Sequence, residues 1–246
     1  MKCAYGLAAI ATAEETLLSF LGFERTAVEL IMSGLFQDRS EAGRILAGRL
    51  RAYAGRESLI VLALPRGGVP VAFEVAQALA VPLEIFVVRK LGLPANEELA
   101  MGALASGNVR VLNEAVVRSF EVSDRTIEAV TQKERVELER REHLYRGDAG
   151  PLSVRGKTVL LVDDGVATGS TIRAAIAALR QQDPTEIVVA VPVAPPSTCE
   201  ILRAEADEVI CVATPEPFYA VGQWYRLFDQ TTDDEVRALY DRSKHL

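Results

Sequence analysis

Residues 159–171 read VLLVDDGVATGST. The opening run of aliphatic residues has no polar interruption, which is the pattern of a strand buried on both faces of a parallel sheet. Two adjacent carboxylates, Asp163 and Asp164, follow at the strand's carboxyl end. Gly165, Val166, Ala167, Thr168, Gly169, Ser170 and Thr171 then form a small, hydroxyl-bearing turn that opens a helix. Such a turn points several backbone N–H groups at one spot, and the helix N-terminus adds partial positive charge, so a phosphate fits there without a lysine. Ligands of open parallel sheets sit beyond the carboxyl ends of the strands. The two acids are thereby placed to accept hydrogen bonds from the hydroxyls of a sugar whose phosphate occupies the turn.

Outward from this segment, short apolar runs recur at 59–64, 83–88, 187–191 and 209–212, with helix-period stretches between them. Runs of four to six β-rich residues separated by crossover helices predict an α/β fold, a doubly wound, mainly parallel five-stranded sheet with helices on both faces. Asp38 or Ser40 can cap a helix carrying Ile45, Leu46 and Leu50, with Gly55 ending it. Residues 93–156 form an insertion: LAMGALASGNVRVLN (99–113) suggests a hairpin, and 122–145 is a charge-laced helical stretch with Glu137 and Arg141 at i,i+4. Pro192, Pro195 and Pro196 are expected to break a strand before the next helix. Residues 1–35 read as a helical extension, with Leu17, Leu18 and Leu21 at helical spacing, and 36–246 as one domain with a lid (93–156) and a hood (214–246 with part of 36–55).

Two further loops carry charge to the same end of the sheet. After the first strand come Pro65, Arg66, Gly67, Gly68, Val69 and Pro70. Adjacent glycines let backbone amides approach a ligand closely, and Arg66 adds a guanidinium fork suited to phosphate oxygens, although a tight strand-to-helix turn explains the glycines alone. The next strand ends in Arg89 and Lys90, two cations that make a focused anion site or, singly, solvated ion pairs.

Composition narrows the classes. At 246 residues, 49% hydrophobic and 25% charged, the chain suits one globular α/β domain. A formal charge of -7 argues against a nucleic-acid surface. Three cysteines, Cys3, Cys199 and Cys211, show no metal-ligand spacing and read as buried or free reduced thiols, as in a reducing cytoplasm. No apolar run approaches the roughly 18 residues of a membrane span. The opening MKCAYGLAAIATA only faintly imitates a signal peptide, because Glu14 and Glu15 follow at once. A strand ending in Asp-Asp also occurs in receiver domains and magnesium-dependent phosphatase folds, but those need no ATGST turn. No lysine follows Gly169 as a nucleotide-hydrolase loop requires, and no Gly-x-Ser-x-Gly elbow surrounds Ser170.

Residues 159–171 resemble the ribose 5-phosphate signature of the type I phosphoribosyltransferases, which transfer ribose 5-phosphate from phosphoribosyl pyrophosphate to a nitrogenous base. The resemblance implies that Asp163 and Asp164 hold the ribose hydroxyls and are the catalytic acids, while 165–171 wrap the 5′-phosphate. PRGG resembles the family's pyrophosphate loop, particularly that of xanthine-guanine enzymes, with a cis or strained peptide expected. Arg66, Gly67, Gly68, Arg89 and Lys90 would bind pyrophosphate. Magnesium is the implied cofactor, with no direct protein ligand and water between the ion and Asp163 or Asp164. Ala167 departs from the hypoxanthine-guanine branch, which has an aspartate before Thr-Gly, and matches the adenine branch's Ala-Thr-Gly-Gly-Thr.

The implied reaction builds oxocarbenium-like charge at the anomeric carbon, so positioning and leaving-group neutralisation suffice without a nucleophile. The insertion is the available lid, with Glu134, Arg141, Tyr145 and Arg146 as candidate contacts. TPEPFYAVGQWYRLF (214–228) concentrates aromatics in a chain with 6% of them. Most are expected in the core, while Phe218 and Trp224 are the candidates to stack on a purine-like base. The family further implies a homodimer. The alternative is a non-catalytic regulator that binds phosphoribosyl pyrophosphate or a nucleotide.

Overall fold

The computed structural model describes residues 36–94, 96–147 and 149–246; the helix expected over 1–35 lies outside the described residues. Helix α1 (Arg39–Arg49) leads to β1 (Leu59–Ala63), α2 (Gly68–Leu79) and β2 (Leu83–Ile85). Next come β3 (Val88–Leu93), β4 (Asn96–Ala105) and β5 (Val109–Leu112), then α3 (Glu114–Ser119) and the long α4 (Asp124–Arg146). The chain closes with β6 (Thr158–Val162), α5 (Ser170–Arg180), β7 (Glu186–Val193), α6 (Pro196–Arg203), β8 (Glu208–Ala213) and α7 (Asp233–Ser243).

The five parallel strands lie in the order β2-β1-β6-β7-β8. The expected α/β fold is thus the observed one. Val159, Leu160, Leu161 and Val162 of central β6 are wholly buried. Their side chains divide between two cores: Leu160 and Val162 join Val61, Ala63, Val188 and Ala190 on one face, Val159 and Leu161 join Ile60, Leu62, Ile187 and Val189 on the other. Each fully buried aliphatic side chain contributes about 1.5–3 kcal/mol, so an uninterrupted apolar strand is stable only with helices on both sides. The order also fixes a switch point: the chain winds one way from β1 to β2 and the other way from β6 to β7 and β8. Beyond the carboxyl ends of β1 and β6 a crevice therefore opens.

The apolar run at 83–88 is two strands and not the single strand expected. Ile85 pairs with Ala63 in the parallel sheet, and Val88 already pairs with Ala105 in a separate antiparallel sheet, β3-β4-β5. Ser106 spans the crossing, its Oγ accepting from the N–H of Val87 at 2.9 Å and its N–H donating to the Val87 carbonyl at 2.9 Å. Both stretches are apolar and extended, so hydrophobicity carries no mark of the change of sheet. The expected hairpin is β4–β5 and the charge-laced helix is α4, which packs on β3 and β4 through residues including Ile127 and Leu138. Pro192 does not break a strand: it lies inside β7, beyond Ala190, the last residue paired with β6, where a missing N–H is tolerated. Pro196 opens α6.

Asp38, not Ser40, caps α1, accepting from the N–H of Glu41 at 2.8 Å. The residues just before it join the hood: the N–H of Phe36 donates to the Trp224 carbonyl at 2.7 Å and that of Arg226 to the Phe36 carbonyl at 2.8 Å. Phe36, Ile45, Val193 and Tyr225 make the small core beneath it. Among the described residues no helix is long and apolar enough to cross a membrane.

Candidate functional site

The loops after β1 and β6 interlock at the switch point. The N–H of Leu64 donates to the Val162 carbonyl at 3.0 Å, carrying the parallel pairing one step past the strands. A β-carbon on Gly67 would lie 2.1 Å from Oδ2 of Asp164, and one on Gly68 would lie 2.9 Å from Cα of Asp163. A side chain at position 67 would have to displace the Asp164 carboxylate and one at 68 the backbone of Asp163 and Val162, so glycine is what permits this close approach. The Pro65–Arg66 peptide is cis, as the resemblance implied.

The turn expected to take a phosphate is open to solvent. Ala167, Thr168, Ser170 and Thr171 are exposed, while Gly165 and Val166 are packed beneath. Gly169 adopts the left-handed conformation at φ +75°, and α5 begins directly after it without a side-chain cap. By contrast α1, α4 and α7 are capped by Asp38, Ser123 and Thr232. The leading N–H groups of α5 thus retain donor capacity for an anion. The turn is braced from behind, where Thr198 Oγ1 donates to the Ala167 carbonyl at 2.6 Å and the N–H of Val166 to the Val193 carbonyl at 2.9 Å.

The two acids are not equivalent. Asp163 Oδ1 accepts from the N–H of Asp164 at 2.9 Å. Burial, and then the neighbouring Asp164 charge, hold the Asp163 carboxyl well above the usual carboxylate range. Burial also raises Asp164, but Arg39 opposes it: Arg39 Nε lies 2.7 Å from Asp164 Oδ2, with both side chains largely buried. The Tyr225 hydroxyl donates to the backbone carbonyl of Asp164. Arg39 is not among the candidates read from the sequence, and Tyr225 is there only one of the aromatics of 214–228, most of them expected in the core. Arg39 reads there only as part of a helix start, and 125 residues separate it from its partner.

The expected cations divide in the same way. Lys90 lines a cavity of about 530 Å³ with Thr171 of the turn, Lys133 and Glu134. Arg89 also lines it, yet its guanidinium is engaged by Glu134, with Nη2 at 2.6 Å and Nε at 2.8 Å from Oε2. Arg66, partly exposed, lies 3.8 Å from Asp233 of α7, which also accepts from the Tyr145 hydroxyl at 2.6 Å. Of the four candidate lid residues only Glu134 reaches this cavity. Arg141 pairs with Glu137 at 2.7 Å, and Arg146 is buried against Glu84 at 2.9 Å, where Tyr240 also donates to Glu84 at 3.0 Å. Phe218 and Trp224 stack on each other, ring centroids 6.1 Å apart, and pack against the hood core. Val221 of the same segment meets Gly165, whose β-carbon would lie 2.5 Å from Val221 Cγ1. The aromatic pair therefore sits in the segment that covers the acid loop. Among the described residues no group of three or more His, Cys, Asp and Glu side chains could hold a metal ion.

An open parallel sheet with an arginine-glycine-glycine loop and an acid-glycine-hydroxyl loop meeting at its switch point defines an α/β protein of the phosphoribosyltransferase class. The chain belongs to the phosphoribosyl transferase domain family, whose model matches residues 37–223. A Mycobacterium tuberculosis protein provisionally named a phosphoribosyl transferase, found in strains CDC 1551 / Oshkosh and H37Rv, is 48% identical over 209 residues, 85% of this chain and 47% of its own length. The chain thus spans about half the length of the curated relatives it matches. A protein of Thermus thermophilus with a solved crystal structure is 42% identical and aligns with a TM-score of 0.75, over 84% of this chain and 97% of that one.

Proposed function

We propose that this chain transfers ribose 5-phosphate from phosphoribosyl pyrophosphate to a nitrogenous, purine-like base and releases pyrophosphate. The interlock of Gly67 and Gly68 with Asp164 and Asp163 carries this reading, because it brings the Arg66-Gly67-Gly68 loop against the two acids that lead into the 165–171 turn. The uncapped start of α5 takes the 5′-phosphate through backbone N–H groups, supported by Thr168, Ser170 and Thr171. Asp163 and Asp164 accept from the ribose hydroxyls. Arg66, the Gly67 and Gly68 backbone and Lys90 neutralise the leaving pyrophosphate, and Arg89 joins them by exchanging Glu134 for phosphate oxygens. No side chain acts as nucleophile. The 93–156 insertion serves as the lid that keeps water away from the anomeric carbon while positive charge develops there.

Magnesium suits this donor set: the acids offer hard oxygen ligands, and the ion would be held by substrate oxygens and water with Asp163 and Asp164 behind the water. When bound it supplies charge neutralisation of the pyrophosphate. Phe218 and Trp224 offer an aromatic wall to the base, and a homodimer in the cytoplasm remains part of the proposal. The decisive experiment measures pyrophosphate release from phosphoribosyl pyrophosphate with magnesium, across a panel of purine and pyrimidine bases. Release with one member supports the transferase. Tight binding of phosphoribosyl pyrophosphate with no release for any base overturns it in favour of the regulator.

A further inference from the structure

Arg39 is held from three sides at once. Its Nε lies 2.7 Å from Oδ2 of Asp164, its Nη1 donates to the Asp229 carbonyl at 2.7 Å, and its Cζ lies 3.9 Å above the ring of Phe228. Phe228 packs in turn on Tyr225, centroids 5.0 Å apart, and Tyr225 donates to the backbone carbonyl of Asp164. The hood thus grips Asp164 twice, by side chain through Arg39 and by backbone through Tyr225. Gly67 also approaches Oδ2 so closely that a β-carbon there would lie 2.1 Å from it. Arg39 and Asp164 side chains are 12% and 13% exposed, so water scarcely competes for this contact. Asp163 receives no such grip; its described contact is the N–H of Asp164.

We propose that Arg39 is a positioning residue for sugar recognition: by immobilising Oδ2 of Asp164 it presents Oδ1 to a ribose hydroxyl, and it makes that contact depend on an assembled hood. The proposal rests on the functional reading above. A guanidinium suits the task because its planar fork binds the acid, a carbonyl and an aromatic face together, which an ammonium does not. The consequence is selective. Losing Arg39 loosens Asp164, so a ligand that uses the hydroxyl suffers, while a ligand bound only at the pyrophosphate loop does not.

Calorimetry on the full chain separates these cases, with ribose 5-phosphate, its 2-deoxy and 3-deoxy analogues, and inorganic pyrophosphate as probes. Arg39→Gln is expected to weaken ribose 5-phosphate on the order of tenfold, as for a lost hydrogen bond to a charged group, and to leave pyrophosphate unchanged. Arg39→Lys should recover part of the loss. With the deoxy analogue lacking the hydroxyl that Asp164 holds, the Arg39→Gln effect should vanish, as a thermodynamic cycle requires. Equal weakening of every probe, or of none, overturns the proposal. Should Arg39→Gln fail to fold, Phe228→Leu removes only the stacked face and is expected to show the same selectivity more weakly; no selectivity there also overturns it. Wild-type protein that ignores ribose 5-phosphate while binding pyrophosphate overturns the functional reading itself, a result distinct from loss of selectivity in the variants.

Discussion

Oδ2 of Asp164 occupies the space a side chain at position 67 would need: a β-carbon on Gly67 would lie 2.1 Å from it. Two loops from neighbouring strands are thereby locked into one surface. Gly67→Ala must push the Asp164 carboxylate away or shift the cis-peptide loop. Such overpacking typically costs about 1–3 kcal/mol. Thermal unfolding is expected to register that loss, and calorimetry a weaker grip on both ribose 5-phosphate and pyrophosphate. Retention of both affinities would contradict the interlock.

The turn itself tests through Gly169, at φ +75° with Thr198 Cγ2 3.1 Å from a would-be β-carbon. A left-handed alanine costs about 1–2 kcal/mol. Gly169→Ala is expected to lower Tm by a few degrees and to weaken binding of inorganic phosphate, because the N–H groups opening α5 lose their alignment. Phosphate affinity equal to that of the wild type would remove this turn from the anion site.

The buried acids set a pH dependence of stability. Asp163 and Asp164 both have carboxyl groups raised above the ordinary value near 4, Asp163 the more strongly. A raised group binds more protons folded than unfolded, so its contribution to stability falls as pH rises from about 4 through the raised value. Asp163→Asn, which keeps the acceptor for the Asp164 N–H, should therefore raise Tm at neutral pH, and the gain should shrink as pH falls towards 4. Ribose 5-phosphate binding should be lost in the same variant. A variant no more stable than wild type at neutral pH would argue against a buried charge at this position.

Arg89 is neutralised by Glu134, 2.6 Å away. Glu134→Gln removes the competing charge and should tighten pyrophosphate by roughly two- to fivefold, since partly exposed ion pairs are worth about 0.2–1 kcal/mol. The gain should fade with added salt. Arg89→Gln in the same assay should weaken pyrophosphate; no change in either variant would remove Arg89 from the anion site.

Much of this could be read along the chain. Residues 159–171 carry strand, acids and turn in one uninterrupted stretch, and each feature rests on local chemistry: aliphatic residues for a doubly buried strand, glycine for the left-handed step, small residues at the helix start. The PRGG loop is local in the same sense. Phe86 and Val87 carry no mark of the change of sheet, because an apolar extended run looks alike in either one and only pairing with Ala63 or Ser106 tells them apart. Cys199 and Cys211 carry no spacing motif, yet the packing of α6 on β8 sets their sulfurs 2.9 Å apart.

What the sequence determined alone is therefore the parallel sheet, the succession of its core strands along the chain and the two loops at its carboxyl edge, since these depend on neighbours within a few residues. Tertiary structure alone decided which side chains bear on Asp164, that Arg89 faces Glu134, and that Phe218 and Trp224 stack together. Those contacts join residues brought together by the fold, and the free energy that selects them comes from burying charge and aromatic surface between elements, which no short window of sequence records.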